Sequence, residues 1–344
     1  MVGVAAHFPR EEINKVIDLL KTTNRIVILT HHRPDGDAIG SQLALYHYLL
    51  QKNQQTAMIV PSGLPDFLQW MPAANQIINF ENNSGLAQQK ISNAEIIFCL
   101  DFNWLSRLEN LENFVRRSAA KKILIDHHLQ PENVYDIVFS YPESSATAEL
   151  IYEFIVAMGD KDLINKTVAE CIYTGIMTDT QSFRFSTMTS GTHRIIADLI
   201  ERGVENNKIH ENVYDNFSEN RIRFLGYCIR EKLQVLPQYN TAYISISKKE
   251  LEQFNHHTGD TEGIVNFALG IKGIRLAAFF SERAKDVKIS LRSKNEFSVQ
   301  ELAVKYFEGG GHKNAAGGTS HLPLQETIKK FEEILPLYEK ELSE

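Results

Sequence analysis

Residues 25–41 read RIVILTHHRPDGDAIGS. The opening run, Arg25–Thr30, is continuously aliphatic and β-branched, the composition of a strand buried on both faces of a parallel sheet. Ala38–Leu50 follows with helical spacing of Ile39, Leu43, Leu45, Leu49 and Leu50. Between them, Pro34 and Gly36 constrain a tight turn that carries His31, Asp35 and Asp37. Parallel sheets present their functional groups at the carboxyl ends of strands, so this strand–loop–helix unit places an imidazole and two carboxylates where chemistry is expected.

The same habit recurs downstream. CLDF at 99–102 and LIDHH at 124–128 each put an aspartate at the end of a hydrophobic run, and a further acidic stretch, GIMTDT, follows at 175–180. Strand candidates at Thr56–Val60, Glu95–Leu100, Lys122–Ile125 and Asp136–Phe139 alternate with helix candidates such as Leu105–Ala119 and Ser144–Met158. This alternation predicts an α/β fold whose N-terminal sheet is mostly parallel and covered by helices. Residues 165–233 read as mainly helical, with a break at 185–190. Strands return at Thr241–Ser247, Ile274–Ser281 and Val287–Leu291, before the glycine-rich stretch EGGGHKNAAGG at 308–318 and an amphipathic helix from about Leu324 to Leu342. The expected division is a first domain at 1–185, a helical connector at 186–235, and a smaller C-terminal α/β domain with a mixed sheet at 236–344.

Composition narrows the classes. With 43% hydrophobic and 23% charged residues the chain is an ordinary globular protein. A net charge of −7 argues against sequence-blind binding to long nucleic acid, which needs a basic face, yet leaves room for a local pocket around a small anion. The three cysteines, Cys99, Cys171 and Cys228, are isolated in apolar surroundings and read as packing residues. No apolar run approaches the ~20 residues of a membrane span, and the opening MVGVAAHFPR lacks the features of a signal peptide. A cytoplasmic enzyme without a membrane partner is expected.

Each motif also has a plain structural reading. The loop at 31–37 could be a polar strand-to-helix connection with Asp37 near the helix N-cap. Asp101 and Asp179 could be caps or turns. Adjacent histidines at a strand end, His127 and His128, are less easily explained by packing. Taken jointly, such a set of carboxylates would repel itself without cations. Four ionised aspartates total −4, and two divalent cations balance them. Two such ions roughly 3.5–4 Å apart lower the pKa of a shared water and polarise a phosphoryl oxygen.

HxxPDxDAIGS at 31–41, the lone Asp101 after the next buried strand, Asp126-His127-His128 and the GIMTDT stretch together resemble the DHH phosphoesterase superfamily. The resemblance implies two manganese ions. His31, Asp35, Asp101 and Asp179 would hold one ion, and Asp37, Asp101, His127 and Asp179 the other. Mixed imidazole and carboxylate ligands suit a borderline ion better than calcium, so Mn2+ is the first choice, with Mg2+, Co2+ or Fe2+ as further options. Asp126 would orient a neighbouring histidine, and His128 would bond a phosphate oxygen or protonate the leaving group. Ser41 and its neighbours are expected to open a helix whose free N–H groups either assist an anion or are capped by solvent.

The stretch 309–318 is similar to the GGGH-x-x-A-x-G motif of the DHH-associated C-terminal domain. Its glycines would let backbone N–H groups approach a phosphate, with a helical start behind them; otherwise it is a flexible hinge. Gly310, Gly311 and His312, with Arg292 of KISLRS, are the expected substrate contacts. The resemblance covers nearly the whole chain and is nearest the nano-RNase and pAp phosphatase branch. It implies hydrolysis of dinucleotides by water activated between two metals, dephosphorylation of pAp, and a homodimer. The rival readings are a cyclic or linear dinucleotide phosphodiesterase, a pyrophosphatase or polyphosphatase, and a non-catalytic nucleotide sensor.

Overall fold

The computed structural model describes residues 8–23, 25–184, 187–256 and 259–343. The chain divides into two compact units, Met1–Asn216 and Phe217–Glu344. In the first, six strands are β1 (Arg25–Leu29), β2 (Gln55–Val60), β3 (Ile78–Asn79), β4 (Ile96–Leu100), β5 (Lys121–Asp126) and β6 (Ile137–Ser140). They form one parallel sheet in the order β3-β2-β1-β4-β5-β6. The helices are α1 (Arg10–Thr22), α2 (Gly36–Gln51), α3 (Ser84–Asn93), α4 (Glu112–Arg117), α5 (Thr147–Ala157), α6 (Lys166–Asp179), α7 (Ser190–Glu201) and α8 (Asn206–Tyr214).

Successive side chains of a strand point to opposite faces, and the core obeys that period. Ile26, Ile28, Phe98, Ile123 and Ile125 pack with α1, α2, α5 and α6 on one face. Val27, Leu29, Ile97, Cys99 and Leu124 pack with α3 and α4 on the other. β1 pairs with β2 on one side and β4 on the other, with Ile26 opposite both Thr56 and Ile96. The strand order reverses there, and a crevice opens at such a switch point above the strand ends.

Several boundaries differ from the sequence reading. Residues 105–119 are not one helix: three-per-turn geometry runs over Leu105–Leu111, broken at Glu109 (φ 49°), before α4. The buried Leu105, Leu108 and Leu111 repeat every three residues, which suits that tighter winding. The final helix is likewise split, because Pro336 cannot continue α-helical hydrogen bonding. α1, with Ile13, Val16 and Leu20 buried on one face, was not anticipated. Phe185 and Ser186 of the expected break lie outside the described residues; Thr189 caps α7.

The second unit contains α9 (Glu219–Tyr227), β7 (Leu233–Leu236), β8 (Thr241–Ile246), α10 (Lys248–Gln253), α11 (Ile264–Leu269), β9 (Leu276–Glu282), β10 (Val287–Ser293), α12 (Val299–Tyr306), β11 (Gly310–His312), β12 (Ala315–Ser320), α13 (Leu324–Ile334) and α14 (Glu339–Ser343). Its sheet runs β11-β12-β10-β9-β8-β7 and is mixed, with only β8 and β9 parallel. One face, with Leu276, Phe280, Ile289 and Leu291, packs on α12 and α13. The other, with Ala242, Ile244, Ala277 and Phe279, packs on α9 and α11. Of the residues expected as a connector, α7 and α8 fall in the first unit and α9 in the second. Cys99, Cys171 and Cys228 are buried and free. Among the described residues, no helix is long and apolar enough to cross a membrane.

Candidate metal centre

α2 and α6 run antiparallel and almost touch. A Cβ on Gly40 would lie 2.7 Å from the Cys171 carbonyl oxygen and 2.8 Å from the Gly175 nitrogen of α6, and one on Gly175 would lie 3.0 Å from Asp37 Oδ1 of α2 and 2.5 Å from the Ala148 Cβ of α5. Only hydrogen at both positions allows this approach. It sets the N-terminus of α2, with Asp37, beside the C-terminus of α6, with Asp179. Asp179 thus ends a helix, unlike the other site aspartates.

Asp35 is the N-cap of α2: its Oδ1 accepts from the Asp37 and Ala38 N–H groups at 3.0 and 3.1 Å. Asp37 sits inside the first turn, buried, and accepts from the backbone N–H groups of Thr147 (2.7 Å) and Ala148 (2.8 Å) at the start of α5. Ser41 lies a turn further into α2 and is fully buried, so it does not open the helix; its hydroxyl donates to Asp37 Oδ1 at 3.4 Å.

Asp101 follows β4 with φ 64°, a left-handed conformation costly for a side chain with a Cβ and most often tolerated at functional sites. Its carboxylate lies 3.5 Å from His31 Nε2 and 3.4 Å from His127 Nε2, and accepts the Thr147 hydroxyl at 3.0 Å. His127 Nε2 is also 3.8 Å from both Asp37 and Asp179. The other ring nitrogens are held by carbonyls, His31 Nδ1 by His32 (2.9 Å) and His127 Nδ1 by Ser144 (3.3 Å). Such bonds orient ligand imidazoles. Asp126 Oδ1 pairs with His128 Nδ1 at 2.7 Å.

His31, Asp35 and Asp101 bring ligand atoms within 4.8 Å of one another, as do Asp37, His127 and Asp179. Asp101, in contact with both His31 and His127, joins the two groups. A third set, Asp101, Asp126 and His128, adjoins them. Among the described residues, no lysine or arginine pairs with these five aspartates. The charge of half-buried Arg107 opposes a proton on His31, and the Arg107 carbonyl accepts from the His32 N–H at 2.8 Å.

The electrostatics are those of a cation site holding protons. Burial, then Asp101 and Asp179, pushes the Asp37 carboxyl well above its usual range. Burial likewise raises Asp179, to about 6, aided by Asp35 and Asp101 and opposed by His127. Burial works against a charged His127, but the Asp101 hydrogen bond and the charges of Asp179 and Asp37 outweigh it and raise its pKa. The same balance raises His31. Asp101 moves down: burial is overcome by its bonds to His127 and His31. Asp126 Oδ2 is buried with no hydrogen-bond partner. An oxygen- and imidazole-rich cluster with an orphaned carboxylate oxygen and no lysine or arginine counterion fits divalent metal.

Arg292, Gly310, Gly311 and His312 lie in the second unit. The glycine-rich stretch does not lead into a helix: Gly310–His312 and Ala315–Ser320 are antiparallel strands closed by Lys313-Asn314. Repeated glycine here serves backbone crowding in a hairpin. A Cβ on Gly309 would fall 2.0 Å from the Gly317 oxygen, and Gly311 has φ 138°. The tip is anchored, since Asn314 Nδ2 donates to Ser293 Oγ (2.9 Å) and the Asn295 carbonyl (3.0 Å). His312 pairs with Ala315 and Ala315 with Arg292, so one register row carries imidazole and guanidinium on the same face with a methyl between them. Gly310 differs from its neighbours: a Cβ there would meet nothing within 4 Å.

The sequence reading had no signal for the SSAT turn at 144–147, which looks like an ordinary helix start yet contacts Asp37, Asp101 and His127.

Known families and proteins match both units of the chain. Residues 25–176 match the DHH family, N-terminal domain, and residues 238–344 match the DHHA1 domain. The chain is 27% identical to the bifunctional oligoribonuclease and PAP phosphatase NrnA of Bacillus subtilis, over 90% of this chain and 93% of that protein. It is 27% identical to the NrnA of Thermus thermophilus, over 97% and 95%. An exopolyphosphatase-related protein from Bacteroides fragilis, known from a crystal structure, superposes with a TM-score of 0.93 at 40% identity, covering 98% of both chains.

Proposed function

The chain belongs to the DHH family of metal-dependent phosphoesterases, and from that premise we propose that it hydrolyses very short oligoribonucleotides, chiefly dinucleotides, to mononucleotides, and removes the 3′-phosphate of pAp. The observation that carries the hydrolytic part is the pair of three-residue ligand groups joined at Asp101. His31, Asp35 and Asp101 would hold one divalent ion, and Asp37, His127 and Asp179 the second, with Asp101 and Asp179 shared. Mn2+ is the proposed metal. Two ions held there would supply an acidified water and charge neutralisation for in-line displacement at phosphorus.

The remaining roles belong to the chain itself. Asp126 engages Nδ1 of His128, so proton donation to a leaving oxygen runs through Nε2. The Thr147 and Ala148 N–H groups and the Thr147 hydroxyl hold Asp37 and Asp101 in place. In the second unit, Arg292 and His312 on one sheet row, beside the sterically unconfined Gly310, suit a terminal phosphate or nucleotide. The names of the NrnA relatives favour short RNA and pAp, and that of the Bacteroides neighbour keeps polyphosphate in the comparison.

The test is a substrate panel of ribodinucleotide, pAp, cyclic dinucleotide, pyrophosphate and polyphosphate with Mn2+ present. The dinucleotide is expected to show the highest kcat/KM, and Asp101→Ala to abolish turnover. Faster cleavage of polyphosphate than of any nucleotide rejects the substrate proposed, and activity retained by Asp101→Ala rejects the centre.

A further inference from the structure

Glu149, in the first turn of α5, is a buried carboxylate that the chemistry above does not use. Its Oε2 accepts from the Ser145 hydroxyl (2.6 Å), the Ser145 N–H (2.9 Å) and the Ser144 hydroxyl (3.2 Å). Its Oε1 accepts from the Thr192 hydroxyl (2.8 Å) in the first turn of α7. An ionised carboxylate is acceptor-only and can take all four donors, which an amide cannot.

The short segment that Glu149 clasps is the one that touches three ligand candidates. The Ser144 carbonyl meets His127 Nδ1, the Thr147 and Ala148 N–H groups hold Asp37, and the Thr147 hydroxyl donates to Asp101. We infer that Glu149 is a positioning residue for the metal centre: by fastening the 144–148 turn to α5 and to the cap of α7, it sets Asp37, Asp101 and His127 for metal before any ion arrives. This rests on the metal-centre reading above. The plain alternative is a helix-start glutamate reaching back to a backbone N–H for stability. That role accounts for the Ser145 N–H bond. It leaves unexplained the bond to Thr192 and the convergence of one turn on three ligand candidates.

The experiment is Mn2+ titration of metal-free full-length protein, by calorimetry and by the electron paramagnetic resonance signal of free Mn2+. Circular dichroism confirms folding at the titration temperature. Glu149→Gln keeps the shape of the side chain but presents a donor where an acceptor is needed. Its apparent Mn2+ Kd is expected to rise about 10–100-fold, with kcat returning toward wild type as Mn2+ saturates. Ser145→Ala removes only the 2.6 Å hydroxyl bond and should move the Kd the same way by less. Wild-type Mn2+ affinity in folded Glu149→Gln or, should that variant not fold, in Ser145→Ala, overturns the inference and leaves Glu149 as a stability residue alone. If the wild-type protein itself binds no Mn2+, the metal-centre reading falls and takes the inference with it.

Discussion

Gly175→Ala sets two physical effects against each other. In a helix interior, alanine is favoured over glycine by about 1 kcal/mol, so propensity alone predicts a more stable protein. The structure predicts the reverse. A Cβ at position 175 would lie 2.5 Å from the Ala148 Cβ and 3.0 Å from Asp37 Oδ1, whereas unstrained carbons sit about 3.5–4.0 Å apart. Neither neighbour can swing away, because Ala148 has no side-chain torsion to adjust and Asp37 is held by two backbone N–H groups. α5 and α6 must therefore separate by about 1 Å, and overpacking of this kind costs about 1–3 kcal/mol. Set against the propensity gain, the net loss is up to about 2 kcal/mol and should lower Tm by up to about 8 °C. The larger effect should be on activity, since the same shift pulls Asp37 away from Asp179, and displacement by ~1 Å can cost ~100-fold in kcat/KM. Gly226→Ala in α9 is the internal control: nothing lies within 4 Å of its Cβ, so the propensity gain should appear undiluted. The assay pairs thermal melts of both variants with kcat/KM on a ribodinucleotide. A Gly175→Ala protein with wild-type or higher Tm and undiminished kcat/KM would refute the close-approach reasoning.

Asp35→Asn separates capping from metal binding at one residue. Asparagine caps about as well as aspartate, so the metal-free Tm should hold, while Mn2+ affinity measured by calorimetry should fall at least about tenfold. An unchanged affinity would reduce Asp35 to a cap. In the glycine-rich hairpin, Gly310→Ala should leave Tm unchanged and raise KM for a dinucleotide, because the new methyl meets only space a ligand would use. Gly311→Ala, at φ 138° and 2.6 Å from the Ala315 oxygen, should lower Tm instead. A wild-type KM in Gly310→Ala would reject the backbone-approach role. Metal binding should also depend on pH with a definite sign. His31 and His127 have raised pKa values in the metal-free protein and keep their protons above the ordinary imidazole value of about 6.5. Metal must displace those protons, so apparent Mn2+ affinity should strengthen as pH rises through that range and weaken as it falls. Calorimetry at pH near 6.5 in buffers of different ionisation enthalpy should register net proton release, and its absence would contradict the assignment.

The chemistry of the first unit was legible because its signals are local. IVIL and IIFCL are continuous apolar runs that read as strands covered on both faces, and each is followed within two residues by an ionisable one, His31 and Asp101. His31, Asp101 and His127 therefore announce themselves within a few residues of their strands. Asp35 and Asp37 were legible as residue types, but which of them caps the helix depended on where α2 begins, and that is Gly36 rather than Ala38. The glycine-rich stretch was misread as a loop leading into a helix, because composition cannot distinguish glycines that face a ligand from glycines forced by a neighbouring strand. Here Gly309, Gly311 and Gly318 are crowded by backbone and Gly310 is not.

What the sequence alone determined is the inventory: parallel strands, carboxylates and imidazoles at their ends, and a second α/β unit that carries an arginine after a strand and a histidine in a glycine-rich stretch. Those follow from hydrophobic period and residue chemistry, which act over a handful of neighbours. Tertiary structure decided which of these groups meet. Asp179 reaches the cluster through the close packing of Gly40 against Gly175, a contact between helices more than a hundred residues apart. The SSAT turn and Glu149 gain their roles only because α5 starts over Asp37 and α7 starts beside it. Such contacts depend on interhelical distances of a few ångströms, and no periodicity in a single chain segment encodes them.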